Sequence, residues 1–374
     1  MHIAGATAPD SGTFIETSHI VRFMRNYLWT ALLLAAAMQQ SAFGQGFANA
    51  KYASEFLSLG VGARSAALGG AGTGFSDDVT AGYFNPAALS LVKYPQIAIF
   101  HESRFGGLSN YDYAAATLPI AFNQTVALSA FRIGYGDDIK DTRGALIDQN
   151  GNGVIDEEDR LDETKIKYGS ASDWAFFGSY SRKIDEKLSV GGSLKVLHRA
   201  VLDNTAWGLG FDLSASYKPT DGLTVGAVLA DATKSILTWD TGNQEFIVPA
   251  LRIGGAYLLK LHDNHTVMPV VDGTFRFEGR HETAQADLGI ASLDANVGLE
   301  YSFNNSFYLR GGFNHVEQLS IGAGIRLPKL NIDYAFTNAG TELSGFGATH
   351  RISLMLTLEE ERYLRPTDPL SEEH

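Results

Sequence analysis

The chain has 374 residues, no cysteine, 40 glycines and a formal net charge of -13. The absence of cysteine excludes a disulfide framework and a thiolate metal site, and the acidic balance argues against a nucleic-acid partner. Because 22 Phe, 15 Tyr and 40 Gly occur without long helical periods, the composition favours one large all-β unit.

The first 44 residues are predicted to be a leader with a secretory signal peptide. Arg22 and Arg25 precede an apolar run from Tyr27 to Met38. The sequence Ala42-Phe43-Gly44 follows, with small residues at the positions that a signal peptidase reads, and cleavage is expected near Gly44-Gln45. A buried or amphipathic helix is the alternative, and Met24 is an alternative start of translation. No other stretch holds about 18 consecutive apolar residues, so the sequence excludes membrane-spanning helices.

A glycine-rich segment of different character occupies residues 45–92. Its glycines between Gly60 and Gly74 permit close backbone approach, and Asn85-Pro86 favours the start of a short helix. A phosphate-binding loop is the alternative interpretation. The segment has no leading strand and no Gly-Lys-Ser/Thr sequence, which disfavours that alternative.

From residue 93 to residue 358 apolar and polar side chains alternate with the period of β-strands. Residues 296–336 give the clearest case, a meander of four strands with turns at Asn304-Asn305 and Pro328-Lys329. Applied to the whole region, the alternation predicts fourteen strands, at 95–103, 110–119, 124–135, 171–182, 187–199, 206–218, 223–231, 248–260, 265–277, 296–303, 307–313, 319–327, 330–336 and 349–358.

Connection lengths decide between a soluble sandwich and a membrane barrel. Every second connection is short, at 121–123, 184–187, 219–222, 261–264, 304–305 and 328–329. Most of the others are long, at 136–170, 232–247, 278–294 and 337–348. Barrels of the bacterial outer membrane sort short periplasmic turns from long outer loops, whereas a sandwich has no reason to do so. We therefore predict a 14-stranded antiparallel transmembrane β-barrel over residues 93–358, followed by a charged tail, residues 359–374.

The outer loop 136–170 contains a pattern typical of calcium-binding loops. Oxygen-bearing side chains recur at positions 1, 3, 5, 9 and 12 of a twelve-residue stretch, with glycine at position 6. The predicted ligands of a structural Ca²⁺ are Asp148, Asn150, Asn152, the carbonyl of Val154, Asp156 and Asp159. Two neutral ligands indicate weak affinity, on the order of 10⁻⁴ to 10⁻³ M. A metal-free Asn/Gly/Asp-rich turn is the alternative.

Three segments resemble the PorV/PorQ family of outer-membrane proteins, which is itself similar to the FadL class of barrels. They are the run Gly60–Ala71, the sequence Asn85–Leu89 and the terminal strand opened by Thr349–Leu354. The resemblance implies that residues 45–92 form an N-terminal hatch inside the barrel, with Gly69, Gly70, Asn85 and Pro86 in it. It also implies a role in type IX secretion, in which such barrels receive cargo with a C-terminal signal domain.

Charged residues on the polar face of the meander are expected to look into the lumen. Glu300, Arg310, Arg326 and Asp333 lie on neighbouring strands and carry both signs, so we expect them to bind the hatch or to line water. The ten histidines show no metal-binding spacing, and no catalytic constellation is recognisable. We therefore expect no enzymatic activity, and an outer-membrane hydrolase ranks last among the functions considered.

Two functions remain in contention for a barrel in the outer membrane, with membrane lipid around it. The first is interaction with secreted cargo and with translocon or attachment proteins of type IX secretion. The second is a FadL-like passive channel for hydrophobic small molecules. The sequence names neither the cargo nor the ligand.

Overall fold

A computed structural model describes residues 55–104, 107–136, 139–149, 151, 153, 159–277, 280, 284–289, 291–314, 318–338 and 349–366. The predicted signal peptide and the last eight residues of the tail lie outside this part of the chain. Within it, no helix is both long and apolar enough to cross a membrane.

Fourteen antiparallel strands form one closed barrel, as predicted. Neighbours in the chain are neighbours in the barrel, and the last strand pairs with the first to close it, Gln96 lying opposite Thr357. The strands are β1 Gln96–Arg104, β2 Ser109–Ala121, β3 Gln124–Gly134, β4 Ala171–Lys183, β5 Leu188–Val201, β6 Asn204–Tyr217, β7 Leu223–Ala230, β8 Ala250–Tyr257, β9 His265–Arg276, β10 Ser292–Phe303, β11 Phe307–Phe313, β12 Leu319–Arg326, β13 Leu330–Thr337 and β14 Thr349–Thr357.

Within the described chain, three of the longer loops hold additional strands that the alternation did not reveal. In the loop after β9, Ala286–Asp287 pairs with Leu293 and Ser292 of β10. Ser235–Trp239 and Gln244–Ile247 form a hairpin between β7 and β8 that continues the wall by pairing with β6. In the loop after β3, Ile139–Asp141 pairs with Lys167–Gly169, and Leu146–Ile147 pairs with Arg160–Leu161. These strands are too short for a period of two to be distinguished in the sequence.

The apolar face of the barrel points outward. Leu128, Leu209 and Leu309 expose 72%, 62% and 61% of their surface. Rows of large exposed apolar side chains are unstable in water and stable in hydrocarbon, so the outer face fits a transmembrane barrel. The turn between β10 and β11 has Asn304 and Asn305 at φ 53° and 50°, the conformation of a tight hairpin.

Residues 55–92 precede β1, and we call this described part of the predicted segment the hatch. It contains two α-helices, α1 Ala63–Ala67 and α2 Ala81–Phe84, and two 3₁₀ helices, Glu55–Ser58 and Pro86–Leu91. Helix α1 packs on β11 to β14, while the Pro86–Leu91 helix packs on β3 to β6. The hatch therefore spans the interior from one side of the barrel to the other.

Candidate functional site: the hatch and the lumen

The lumen has two chemically different walls, and the hatch contacts both. On the first wall, β1 to β5 point aromatic and aliphatic side chains inward, all of them buried: Phe100, Tyr111, Tyr113, Phe131, Phe177 and Leu197. The hatch adds Phe56, Tyr83 and Phe84 to the same cluster. The ring centroids of Tyr111 and Phe131 are 4.2 Å apart, and those of Phe56 and Phe131 are 5.3 Å apart.

The second wall carries charges, and it includes three of the four residues predicted to face the lumen. Nε of Arg310 donates to Oε2 of Glu300 at 2.6 Å, and Nη1 of Arg310 donates to Oδ1 of Asp333 at 2.6 Å. From the hatch, Nε and Nη2 of Arg64 donate to the two carboxylate oxygens of Glu300 at 2.9 and 3.0 Å. The structure thus joins hatch and wall through a buried network of two guanidinium and two carboxylate groups.

Arg326, the fourth predicted residue, does not belong to this network. It lies at the end of β12 nearest the short turn and is exposed. Its guanidinium lies 5.3 Å from the ring centroid of Tyr308, and the guanidinium of Arg310 lies 5.1 Å from the same centroid. The two arginines therefore share one aromatic neighbour while differing in burial and in ion pairing.

Glycines on both partners allow the hatch backbone to approach the wall. A Cβ on Gly69, whose φ is +71°, would lie 2.5 Å from the carbonyl oxygen of Phe313, and a Cβ on Gly312 would lie 2.7 Å from Cα of Leu68. Gly70, the other glycine singled out in the sequence, also has a positive φ of +84°. Wall glycines whose Cβ would collide with the hatch are Gly191, Gly226, Gly254, Gly298, Gly312 and Gly322.

Polar contacts fix the middle of the hatch. Nδ2 of the fully buried Asn85 donates to the carbonyl oxygens of Thr73 and Ala215, both at 3.1 Å. Pro86 begins the following 3₁₀ helix, as its fixed φ favours. Oδ2 of Asp272 on β9 accepts hydrogen bonds from the backbone N–H groups of Gly72 and Thr73, both at 2.7 Å. Because Asp272 is separated from them by 200 residues, sequence reasoning did not find this anchor.

Two further features of the lumen escaped sequence reasoning. Lys195 on β5 is buried, and its Nζ lies 2.8 Å from Oδ1 of Asp212 and 2.6 Å from Oδ1 of Asp231. A cavity of about 150 Å³ lies between part of the hatch and the wall. The hatch supplies Tyr83 and Phe84 to its lining, and the wall supplies apolar residues such as Phe246 together with Arg252, Asp272, Arg276 and Asp294.

The predicted calcium loop lies only partly within the described chain. Asn150, Asn152, Val154 and Asp156 fall outside it, so their placement is not described. Among described residues, Oδ1 of Asp148 accepts from the N–H of Gly151 at 2.6 Å, and its Oδ2 accepts from the N–H of Gly153 at 2.9 Å. Gly153 has a φ of +72°, which suits the sharp turn predicted at position 6. Oδ1 of Asp159 accepts from the N–H of Gln149 at 3.3 Å.

Comparison with solved structures finds barrels of similar architecture. The toluene transporter TbuX of Ralstonia pickettii aligns over 81% of this chain and 99% of its own, with 15% identity and a TM-score of 0.51. The monoaromatic hydrocarbon channel CymD aligns over 81% and 99%, with 13% identity and a TM-score of 0.54. A Pseudomonas aeruginosa FadL homologue aligns over 79% and 97%, with 12% identity and a TM-score of 0.49.

At these identities the likeness shows the fold alone, a closed β-barrel like those of the toluene transporter and the hydrocarbon channel. These neighbours are transport proteins rather than enzymes. No protein-family model and no curated protein matches the sequence.

Proposed function

We propose that this protein is an outer-membrane channel for hydrophobic small molecules, the second of the two functions considered from the sequence. The observation that carries the proposal is the apolar inner wall. The lumen of a water-filled barrel is polar, whereas here Phe100, Phe131 and Phe177 point inward from neighbouring or next-but-one strands. Phe56, Tyr83 and Phe84 of the hatch cover this wall, so a hydrophobic solute would move along it when the hatch shifts. The resemblance to the hydrocarbon channels supports the same choice.

Uptake of a hydrophobic dye by intact Gram-negative cells tests this proposal, because their lipopolysaccharide layer slows the dye. We expect cells that produce the barrel to take up 1-N-phenylnaphthylamine faster than cells without it. Leu237→Asp places a charge on the apolar wall, where Leu237 is buried. It is expected to slow this uptake about tenfold, since a misplaced polar group costs about 1–3 kcal/mol.

Thr238→Asp is the matched control, because its side chain is the exposed neighbour of Leu237 on the same short strand. It is expected to leave uptake unchanged. Equal dye uptake with and without the barrel would contradict the channel function.

The secretion function rests on the resemblance to the PorV/PorQ family. The family-like run Gly60–Ala71 contains α1 and Arg64, so its residues already have a role in anchoring the hatch. This explanation of the run requires no secretion partner. Co-purification with cargo that carries a C-terminal signal domain would favour the secretion function over the channel.

We further propose that the outer loop binds Ca²⁺ and is stiffened by it. The hydrogen bonds that wrap the loop around Asp148 support this proposal. Isothermal titration calorimetry of the purified barrel is expected to detect calcium uptake, and Asp148→Ala combined with Asp159→Ala is expected to abolish it. Asp162→Ala is the control, because Asp162 caps the 3₁₀ helix Glu163–Lys165 by accepting from the N–H of Thr164. Unchanged heats of calcium binding in the double variant would show that these residues do not form a calcium site.

A further inference from the structure

The described part of the charged tail folds back onto one end of the barrel. After β14 the chain forms a short 3₁₀ helix, Glu361–Tyr363, and Arg365 then contacts the last residue of the hatch, Val92. Its guanidinium also lies beside the short turn between β2 and β3, where Nη1 is 3.4 Å from the carbonyl oxygen of Phe122. Short turns mark the periplasmic end of outer-membrane barrels. The tail therefore contacts the hatch from the periplasm.

The guanidinium of Arg365 joins the end of the hatch to the barrel wall. Its Nη2 and Nε donate to the carbonyl oxygen of Val92 at 2.7 and 3.1 Å, and Nη2 also donates to Oγ1 of Thr125 on β3 at 2.5 Å. The backbone N–H of Arg365 donates to the carbonyl oxygen of Lys93 at 2.8 Å. Because Val92 directly follows the Pro86–Leu91 helix, these bonds fix the C-terminal end of that helix.

The rest of the described tail is loosely attached. Residues 361–364 are all exposed, and Arg362 forms its ion pair with Glu360 inside the tail itself. Among the described residues, every hydrogen bond between the tail and the hatch comes from Arg365. A segment held in this way can detach without unfolding a barrel strand, and such local openings cost less free energy than global unfolding.

The two ends of the hatch are anchored independently. Helix α1 is bound through Arg64 to Glu300 on one side of the barrel, whereas the Pro86–Leu91 helix packs on β3 to β6 on the other side. Hydroxyl groups also hold the second helix, since Ser90 Oγ donates to Ser189 Oγ at 2.7 Å. Hydrogen bonds between neutral groups are roughly half as strong as those of an ionised group. Arg365 therefore makes the strongest polar contacts at this end of the hatch.

We propose that the C-terminal tail is a detachable latch. While Arg365 is bound to Val92 and Thr125, it holds the C-terminal end of the hatch against the wall. When the tail leaves on the periplasmic side, this end of the hatch is free to move while α1 stays anchored. The latch does not depend on the proposed channel function, because a barrel that transports another molecule, or none, could hold its hatch in the same way.

Amide hydrogen exchange of the purified full-length barrel in detergent micelles tests the latch. The N–H groups of Ala88 and Val92 are hydrogen-bonded within the end that Arg365 holds, to the carbonyl oxygens of Asn85 and Leu89. Arg365→Gln is expected to speed their exchange about tenfold, the effect of losing one hydrogen bond from a charged group. Exchange in α1 is expected to stay as in the wild type.

Two further chains control the measurement. Arg362→Gln removes a neighbouring guanidinium whose side chain is 69% exposed, and it is expected to leave exchange at Ala88 and Val92 unchanged. A chain that ends at Leu358 lacks the whole tail and is expected to exchange like Arg365→Gln. The point variant tests the latch by itself if the shortened chain does not assemble.

Two outcomes would overturn the proposal. Unchanged exchange at Ala88 and Val92 in Arg365→Gln would show that the tail does not hold this end of the hatch. Equal acceleration in α1 and at Ala88 and Val92 would show that Arg365 supports the fold as a whole and is not a latch for one end of the hatch.

Discussion

Replacing Arg310 with methionine is expected to destabilise the protein by about 3 kcal/mol or more, because removing one partner of a buried ion pair leaves its counter-charge uncompensated. Glu300 and Asp333 both depend on this guanidinium at 2.6 Å, and Arg64 of the hatch reaches only Glu300 within the network. Equilibrium unfolding in detergent micelles, followed by tryptophan fluorescence, measures the loss. Amide hydrogen exchange should also show faster opening of α1. Arg64 in α1 is held to the wall through Glu300, and Glu300 loses its other guanidinium partner in this variant.

Arg326→Met is the matched control for this experiment. Arg326 lies on the strand next to Arg310 and above the same Tyr308 ring, but it is exposed. Surface substitutions of this kind change stability by about 0.5 kcal/mol or less. Equal destabilisation by the two methionine variants would mean that the buried network does not hold the hatch.

Gly312→Val is expected to displace the hatch from β11. Its Cβ would lie 2.7 Å from Cα of Leu68, a separation that non-bonded carbon atoms do not adopt, and its nearest neighbours include hatch backbone that cannot rotate away. Overpacking that forces backbone to move costs about 1–3 kcal/mol, and occasionally more. We expect higher ion conductance in planar bilayers, because a displaced hatch leaves a fourteen-strand lumen that side chains alone cannot fill.

The neighbouring residue supplies the control for this second variant. Gly311 points outward, and a Cβ there would meet nothing closer than the carbonyl oxygen of Ser320 at 4.0 Å. Gly311→Val is therefore expected to conduct like the wild type. Conductance that is unchanged in Gly312→Val would contradict the close packing of hatch and wall.

The strands were predictable because the two faces of a barrel strand lie in different environments. Side-chain polarity therefore alternates from one residue to the next. Predicted and observed limits differ by a few residues at most for thirteen of the strands, β10 beginning at Ser292 instead of Asn296. The inward direction of Glu300, Arg310 and Asp333 followed from the same alternation. The contact of Arg64 with Glu300 could not be predicted from the alternation, because 236 residues separate the two side chains in the sequence.

The apolar inner wall was not predictable from alternation. In β2 the aromatic residues Tyr111 and Tyr113 face the lumen, whereas Asp112 and Ala114 face outward. A period of two separates the two faces of a strand but does not show which face contacts lipid. In β2, assigning the aromatic residues to the outer face would be wrong. The aromatic hatch residues Phe56 and Tyr83 supply the reason, because they cover the inner wall.

Spin labelling of single cysteines tests most directly the central claim, that hydrocarbon contacts the outer apolar face while the hatch fills the interior. The native chain has no cysteine, so Leu299→Cys, Leu309→Cys and Ser302→Cys each give a unique site. Leu299 and Leu309 expose 51% and 61% of their surface, and Ser302 is buried in the wall's inner face. In reconstituted bilayers, labels at 299 and 309 should collide with oxygen far more than with a water-soluble nickel complex. Equal or greater collision with nickel at those two positions would contradict the account.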